Sequence, residues 1–459
     1  MKYYLAIDIG ASSGRHILGH IENGKLLLEE IYRFENGYIE KNGHFYWDTD
    51  SLFANVCAGI RKCAEIGKIP ETLGIDTWGV DYALLDKNGK LIDGVMAYRD
   101  SRTLSVIDEV YSIVSKREQY SRTGMAEHSF NTIFQIYEDK KSGRINDAES
   151  MLFIPCYLNY LLTGVKMNEY TFASTTGLID VNTRDWDFDM IEKLGLPKKI
   201  FDKLYEPGET VGMLKPEIAD FTCKVVIPPC HDTASAVVAV PAPNDAPLYI
   251  SSGTWSLFGV ETTVPYTDEF SESQGFANEG GVNGTVRFLQ NIMGLWMIQS
   301  VRRELNKKFS FQELMIMAQN STYAGIADVA DERFLAPDSM IDAINGQLVE
   351  LGFEKPADIA DTVRAIYHGL ATAYAKAADG IEKITGNKYD TIYIVGGGSK
   401  DEYLTELTAE YSKRRVVTGV TEATAIGNLA LQIIADGEVK DIKAARKLIA
   451  ESFPLKVTE

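Results

Sequence analysis

Apolar and polar positions alternate in short blocks from the start of the chain. Residues 4–9 form an apolar run interrupted by one acid, Asp8. Ala11-Ser12-Ser13-Gly14 follows as a small-residue turn, and residues 15–22 read as a second strand. Asn23-Gly24 is a type I′ hairpin signal leading into a third strand over residues 25–34. The pattern then lengthens to a helical one. Asp48-Thr49-Asp50-Ser51 offers N-capping side chains to a helix that runs to about Glu65. A strand is expected over residues 72–77. A further Asn-Gly pair, Asn88-Gly89, is expected to join strands at 80–85 and 91–96. Residues 101–200 read as mostly helical with polar turns. This mixture predicts an α/β protein in which antiparallel strands lead into a mixed sheet.

The second half repeats the opening device. Pro247-Leu248-Tyr249-Ile250 is an apolar strand, Ser251-Ser252-Gly253-Thr254 a turn, and residues 255–260 a strand again. Two occurrences, each opening a half of the chain, point to internal duplication. At 459 residues the chain exceeds the roughly 250–300 residues at which single cores stop growing, so two domains are expected. The boundary falls at Pro241-Ala242-Pro243-Asn244-Asp245, giving domains 1–241 and 246–459. Further on, residues 359–384 predict a long amphipathic helix. Tyr393-Ile394-Val395 is a buried strand closing on Gly396-Gly397-Gly398-Ser399. A helix over 402–413, a strand over 415–418 and a helix over 421–435 follow.

Composition narrows the partners. The formal net charge of -19 argues against nucleic acid and against an anionic membrane surface, both of which need basic protein surface. No window approaches the roughly 20 apolar residues of a membrane span, and the N-terminus has no leader-like apolar run. The expectation is a cytoplasmic protein. Cys57, Cys63, Cys156, Cys223 and Cys230 include no C-x-x-C spacing, and read as buried free thiols.

Several segments carry candidate chemistry. Gly10-Ala11-Ser12-Ser13-Gly14-Arg15 is small enough for a phosphate to approach backbone N–H groups, with Arg15 adding charge. It is equally an ordinary hairpin turn. Gly10-x-Ser12-x-Gly14 also matches a nucleophile elbow, but an elbow joins a strand to a helix and this turn joins two strands. There is no Gly-Lys-Ser/Thr, hence no Walker A loop, and Gly396-Gly397-Gly398 lacks the third glycine of a dinucleotide fingerprint. That cluster still permits close backbone approach to a flat or anionic group. Asp8, inside an apolar strand, needs either an Arg partner or a cation such as Mg²⁺ reached through water. Asp232 in Cys230-His231-Asp232-Thr233 opens a helix, either as a simple cap or as a general base beside a substrate hydroxyl. Gly74-Ile75-Asp76-Thr77-Trp78-Gly79-Val80-Asp81 and Tyr98-Arg99-Asp100-Ser101-Arg102 combine aromatic faces with planar polar groups. Such sets suit a polyol, or form solvated loops with ion pairs.

Together these segments resemble the carbohydrate kinases of the FGGY family, over nearly the whole chain and in the right order. The likeness continues through Ser251-Ser252-Gly253-Thr254-Trp255-Ser256-Leu257, Asn278-Glu279-Gly280-Gly281 and Asn291-Ile292-Met293-Gly294-Leu295-Trp296. It departs at Cys156 and Leu161, where related kinases commonly have Asp and Arg. The resemblance implies a duplicated actin-like ATPase fold, ribonuclease H-like, with a cleft between two domains. It implies transfer of the ATP γ-phosphoryl group to a ketose, with L-rhamnulose at its 1-hydroxyl favoured over L-fuculose, and with a non-catalytic actin-like sugar sensor as the different-class alternative. By that likeness Asp232 is the catalytic base. Ala11, Ser12, Ser13, Gly14 and Arg15 form a first phosphate loop, and Thr254 belongs to a second. Gln299 and Gly397 lie on the nucleotide, and Gly79, His231, Asp232, Thr233 and Asn291 line the sugar site. Asp8 is expected near Mg²⁺. The implied ligands are ATP, Mg²⁺ and the sugar. A monomer or homodimer is expected, and because water in an open site would hydrolyse ATP, so is domain closure on sugar binding.

Overall fold

The structure is a computed structural model that describes residues 1–243, 246–335 and 337–459. Asn244 and Asp245 of the expected boundary lie outside the described residues. Two compact units emerge. One comprises Met1–Ala239, Glu261–Phe288 and Ala423–Ser452; the other comprises Val240–Val260, Leu289–Glu422 and Phe453–Glu459. The first unit is therefore drawn from three chain segments, and the chain passes between the units several times rather than once.

The first unit is built on a six-stranded mixed sheet. Its order is Thr210–Met213, Lys224–Val226, Pro70–Thr77, Tyr3–Ile9, Ser13–Glu22 and Lys25–Glu35. Tyr3–Ile9 runs parallel to Pro70–Thr77 and antiparallel to Ser13–Glu22. The three opening strands form as the apolar pattern predicts, with Asn23 and Gly24 at φ 52 and 74 in the turn. Helix Thr49–Glu65 starts where expected, with Asp48 accepting from the Ser51 backbone N–H at 3.0 Å. It packs against His16, whose ring leaves no room for a Cβ at Gly59. Helix Ala423–Ala435 lies against the other face of the sheet, where Gly19 and Gly74 give way to Leu429 and Asn428. From this helix Asn428 and Gln432, one turn apart, reach into the sheet. Gln432 Nε2 donates to the Leu5 carbonyl at 2.9 Å, and Thr72 Oγ1 donates to Gln432 Oε1 at 2.6 Å. These buried amides thus meet partners and carry little desolvation cost.

Two expectations are corrected here. The Asn88-Gly89 turn forms, with Asp86 accepting from the Asn88 and Lys90 backbones, but the expected second strand is reduced to Val95–Met96, which pairs with Tyr46 and Trp47 and not back across the turn. Asp93 and Gly94, at φ 51 and 85, bend the chain away after a single bridge at Leu91. Tyr82–Leu85 pairs instead with Ser150–Phe153, an apolar strand inside the stretch that reads as helical. A four-residue apolar run has no helical period to betray it. The five cysteines are free and buried, as expected. Cys156, in the position that departs from the resemblance, lies beside the Cys230 thiol.

The second unit repeats the device. Leu248–Ser252 pairs antiparallel with Trp255–Thr262 and parallel with Thr391–Val395, which continues to Arg415–Thr418 and Lys456–Thr458. Helix Ile359–Thr385 is capped by Asp358 at its start and by left-handed Gly386 at its end. Tyr374 on this helix hydrogen-bonds Ser256 at 2.6 Å, tying helix to strand.

Candidate active site

Strand register assembles the acids of the first unit. Asp8 sits opposite Arg15 on one side and opposite Asp76 on the other. Thr77, the last residue of the Asp76 strand, bridges to His231, immediately before Asp232. Asp8, Asp76 and Asp232 thus gather at the carboxyl ends of adjacent parallel strands, where α/β sheets bind ligands. Arg15 Nε and Nη2 both donate to Asp8 Oδ2, at 3.0 and 2.8 Å. The Arg partner considered for Asp8 is therefore present, and the two residues expected at the cation and at the phosphate form one ion pair.

Burial pushes the Asp76 carboxyl well above the usual carboxylate range, and the charges of Asp8 and Asp232 add to the rise. Asn428 Nδ2 donates to Asp76 Oδ2 at 2.6 Å, while Asp76 Oδ1 is buried without a partner. Repelling carboxylates and a bare buried oxygen suit a hydrated divalent cation held through water. Direct ligation is not set up: among the described residues no three His, Cys, Asp or Glu side chains form a metal-binding group.

Asp232 is the first residue of helix Asp232–Val238, and His231 occupies the N-cap without a side-chain capping bond. Its Oδ1 accepts from the Thr233 backbone at 2.6 Å and from Thr233 Oγ1 at 3.2 Å, and lies 3.3 Å from His231 Nε2. Burial raises the Asp232 carboxyl above its ordinary value; His231 opposes the rise, Asp8 adds to it, and Thr233 opposes it again. A carboxylate made more basic and held by one oxygen is suited to take a proton on the other.

Gly79 faces the His231 ring, which a Cβ would approach to 3.4 Å. Val80 follows at φ 68, a strained setting for a β-branched residue. Thr132 Oγ1 donates to the Val80 carbonyl at 2.7 Å, and Thr175 Oγ1 accepts from its N–H at 3.3 Å. Asp81 anchors the adjoining aromatic wall, accepting from Trp47 Nε1 at 2.7 Å and Trp78 Nε1 at 2.9 Å. The two indoles lie with centroids 4.0 Å apart. Burial lifts the Asp81 carboxyl to about 6.

In the loop Ala11, Ser12, Ser13, Gly14 and Arg15, Gly10 N–H bonds the Ser13 carbonyl at 2.9 Å, and Asn36 N–H bonds the Ser12 carbonyl at 3.0 Å. Gly14 has a packing reason of its own: a Cβ there would meet the Phe34 ring at 2.1 Å. Thr254, Gln299, Gly397 and Asn291 belong to the second unit. The Thr254 carbonyl accepts from Trp296 N–H at 3.1 Å, and Gln299 N–H bonds the Leu295 carbonyl in the same helical start. Gly396 and Gly398 pack on Ser252, leaving no space for a Cβ, whereas Gly397 between them is open. Thr254 thus lies in the Ser-Ser-Gly-Thr turn, Gln299 follows one helical turn after Leu295, whose N–H bonds the Gly253 carbonyl, and Asn291 stands on strand Val286–Met293.

Sequence reasoning misses Arg287 as a site residue and gives Glu279 no role. They face each other at 2.8 Å behind His231. Their signal is another Asn-Gly turn, Asn283-Gly284 at φ 54 and 79, between strands Phe276–Gly280 and Val286–Met293.

Residues 3–239 match the N-terminal domain of the FGGY family of carbohydrate kinases, and residues 248–435 match its C-terminal domain. A rhamnulokinase of Oceanobacillus iheyensis is 44% identical, covering 98% of this chain and 97% of the relative. That of Bacillus subtilis is 41% identical, over 99% and 94%. Among solved structures, a gluconate kinase from Lactobacillus acidophilus superposes with a TM-score of 0.81 at 18% identity, over 100% of this chain and 93% of that one. A Plasmodium falciparum glycerol kinase with ADP gives 0.78 at 16%, over 100% and 94%. These two likenesses establish the duplicated actin-like fold.

Proposed function

Because the chain belongs to the FGGY family of carbohydrate kinases, we propose that it transfers the γ-phosphoryl group of ATP to the 1-hydroxyl of L-rhamnulose, giving L-rhamnulose 1-phosphate and ADP. The observation that carries the choice of sugar is identity of 38–45% with rhamnulokinases over nearly the full length. The phosphotransferase chemistry is that of the family itself.

In this reading Asp232 is the base. Thr233 and His231 engage Oδ1, and Oδ2 meets the sugar hydroxyl. As the sugar oxygen bonds to the γ-phosphorus and the bond to the bridging oxygen of ADP breaks, the hydroxyl proton passes to Asp232. The step needs little covalent help, so positioning and charge stabilisation dominate. Ala11 to Arg15 and the turn at Thr254 grip the phosphates, with Gln299 and Gly397 on the nucleotide. Gly79, His231, Thr233 and Asn291 line the sugar site. Magnesium bound with ATP would neutralise charge on the β- and γ-oxygens, and Asp8 and Asp76 would hold it through water. The raised Asp232 carboxyl supports the role, since a base must compete for a late proton.

A coupled ADP-release assay over a panel of ketoses tests the reading. L-Rhamnulose should give the highest kcat/KM, and a clear preference for L-fuculose would reassign the sugar. Asp232→Asn should keep sugar and ATP binding but lose turnover by at least about 10²-fold. Near-normal turnover would remove Asp232 from the mechanism.

A further inference from the structure

Arg287 is fully buried and Glu279 nearly so, and neither has a place in the chemistry above. Arg287 Nε donates to the Gly280 carbonyl at 2.8 Å, which fixes the plane of the guanidinium. Nη2 pairs with Glu279 Oε2 at 2.8 Å and reaches His231 Nδ1 at 3.3 Å. Arginine offers only N–H donors and stays charged, so in this contact His231 Nδ1 is the acceptor. A neutral imidazole with a bare Nδ1 carries its proton on Nε2, and Nε2 lies 3.3 Å from Asp232 Oδ1. Glu279 Oε2, at 3.2 Å from Nδ1, could accept from the opposite tautomer. The Arg287 hydrogen aimed at the same nitrogen opposes that state.

We propose that Arg287 and Glu279 are positioning residues: Arg287 holds His231 with its proton on Nε2, and this N–H fixes Asp232 Oδ1 so that Oδ2 faces the sugar hydroxyl. The inference rests on the reading of Asp232 as base. Glu279 keeps Arg287 in place; burial pushes its carboxyl up, but the Arg287 guanidinium and then His231 hold it down at about 2, so it stays ionised. His231 is faced by Asp232 from its own helix and by Glu279 and Arg287 from the strand pair beyond. Asp8 and Asp76 act on Asp232 from the sheet. His128, stacked on Phe130, feels the Glu279 charge.

Imidazole nitrogen NMR on the full-length protein labelled with ¹⁵N-histidine tests this directly, with His231→Asn used to assign the signal. The wild type should show neutral His231 protonated on Nε2. Arg287→Met should move the proton toward Nδ1, lower kcat by about 10²-fold, and leave KM for the sugar within about threefold. Should Arg287→Met not fold, Arg287→Lys serves. A single ammonium cannot bond the Gly280 carbonyl and aim at Nδ1 in the same fork geometry, so the same tautomer change is expected. Glu279→Gln, near in shape, should show a smaller change in the same direction. A wild-type signal from Nδ1–H or from doubly protonated His231 overturns the proposal, as does a folded Arg287 variant with an unchanged tautomer. A tautomer change with unaltered kcat overturns the positioning role and leaves the Asp232 assignment standing. Full activity of Asp232→Asn overturns the base assignment and with it the catalytic part of the proposal, whatever the tautomer.

Discussion

Gly427→Ala probes how the base is held. Gly427 sits in helix Ala423–Ala435 against helix Asp232–Val238, where a Cβ would lie 1.7 Å from the Ser235 carbonyl oxygen. Real contacts of this kind essentially never fall below 3.0 Å. The obstacle is backbone, so no side chain can swing aside and one helix must move by roughly 1 Å or more. Overpacking of this sort costs about 1–3 kcal/mol, and a rigid backbone neighbour puts the site at the upper end. The better helix propensity of Ala returns about 1 kcal/mol, leaving a net loss of about 2 kcal/mol. Ser235 is one turn after Asp232 and its Oγ donates to the Pro229 carbonyl at 2.8 Å, so the strain reaches the base. A misplacement of about 1 Å costs on the order of 10²-fold in turnover. Thermal melting and steady-state kinetics on the same preparation read both effects. Tm should fall by about 2–3 °C and kcat by one to two orders of magnitude. An unchanged Tm with wild-type kcat would refute the claim that this helix contact sets the position of Asp232.

Two further predictions use other local features. Gly346 lies within helix Met340–Glu350, and a Cβ added there would have no neighbour within 4 Å, so Gly346→Ala should stabilise the protein by about 0.4–1 kcal/mol with activity intact, as urea melts would show. His16 is buried and donates from Nε2 to the Val56 carbonyl, and burial depresses it from 6.5 to about 4. Its neutral form is favoured in the folded state, so its contribution is complete above the unfolded value and is lost as pH falls toward the folded one. Between about pH 7.5 and about pH 5 that loss is about 2 kcal/mol, and His16→Gln should lack it; parallel stability curves for the two proteins would count against the assignment.

Much of the fold is legible in the sequence because its signals are local. The opening strands are set by apolar runs and Asn23-Gly24, and helix Thr49–Glu65 by the Asp48 cap. Asp8 and Asp232 stand out because an acid in an apolar strand and an acid opening a helix after a strand both need a reason. Residues acting through non-local register do not stand out. Asp76 becomes part of the carboxylate cluster only because its strand pairs in parallel with that of Asp8, and Asn428 reaches it from the far end of the chain. Arg287 and Glu279 require both the Asn283-Gly284 turn and the return of that strand pair to His231. Gly14 reads as room for phosphate, whereas the space a Cβ would need is filled by Phe34, which no local pattern reveals. The strand Ser150–Phe153 is hidden in a helix-rich stretch for want of length.

The most direct test of the central claim is the product itself. Purified protein incubated with ATP, magnesium and L-rhamnulose, followed by phosphorus–proton correlation NMR, should yield ADP and one sugar phosphate whose phosphorus couples to the C1 methylene protons. Phosphate on any other carbon, or ATP hydrolysis without a sugar phosphate, would contradict the account.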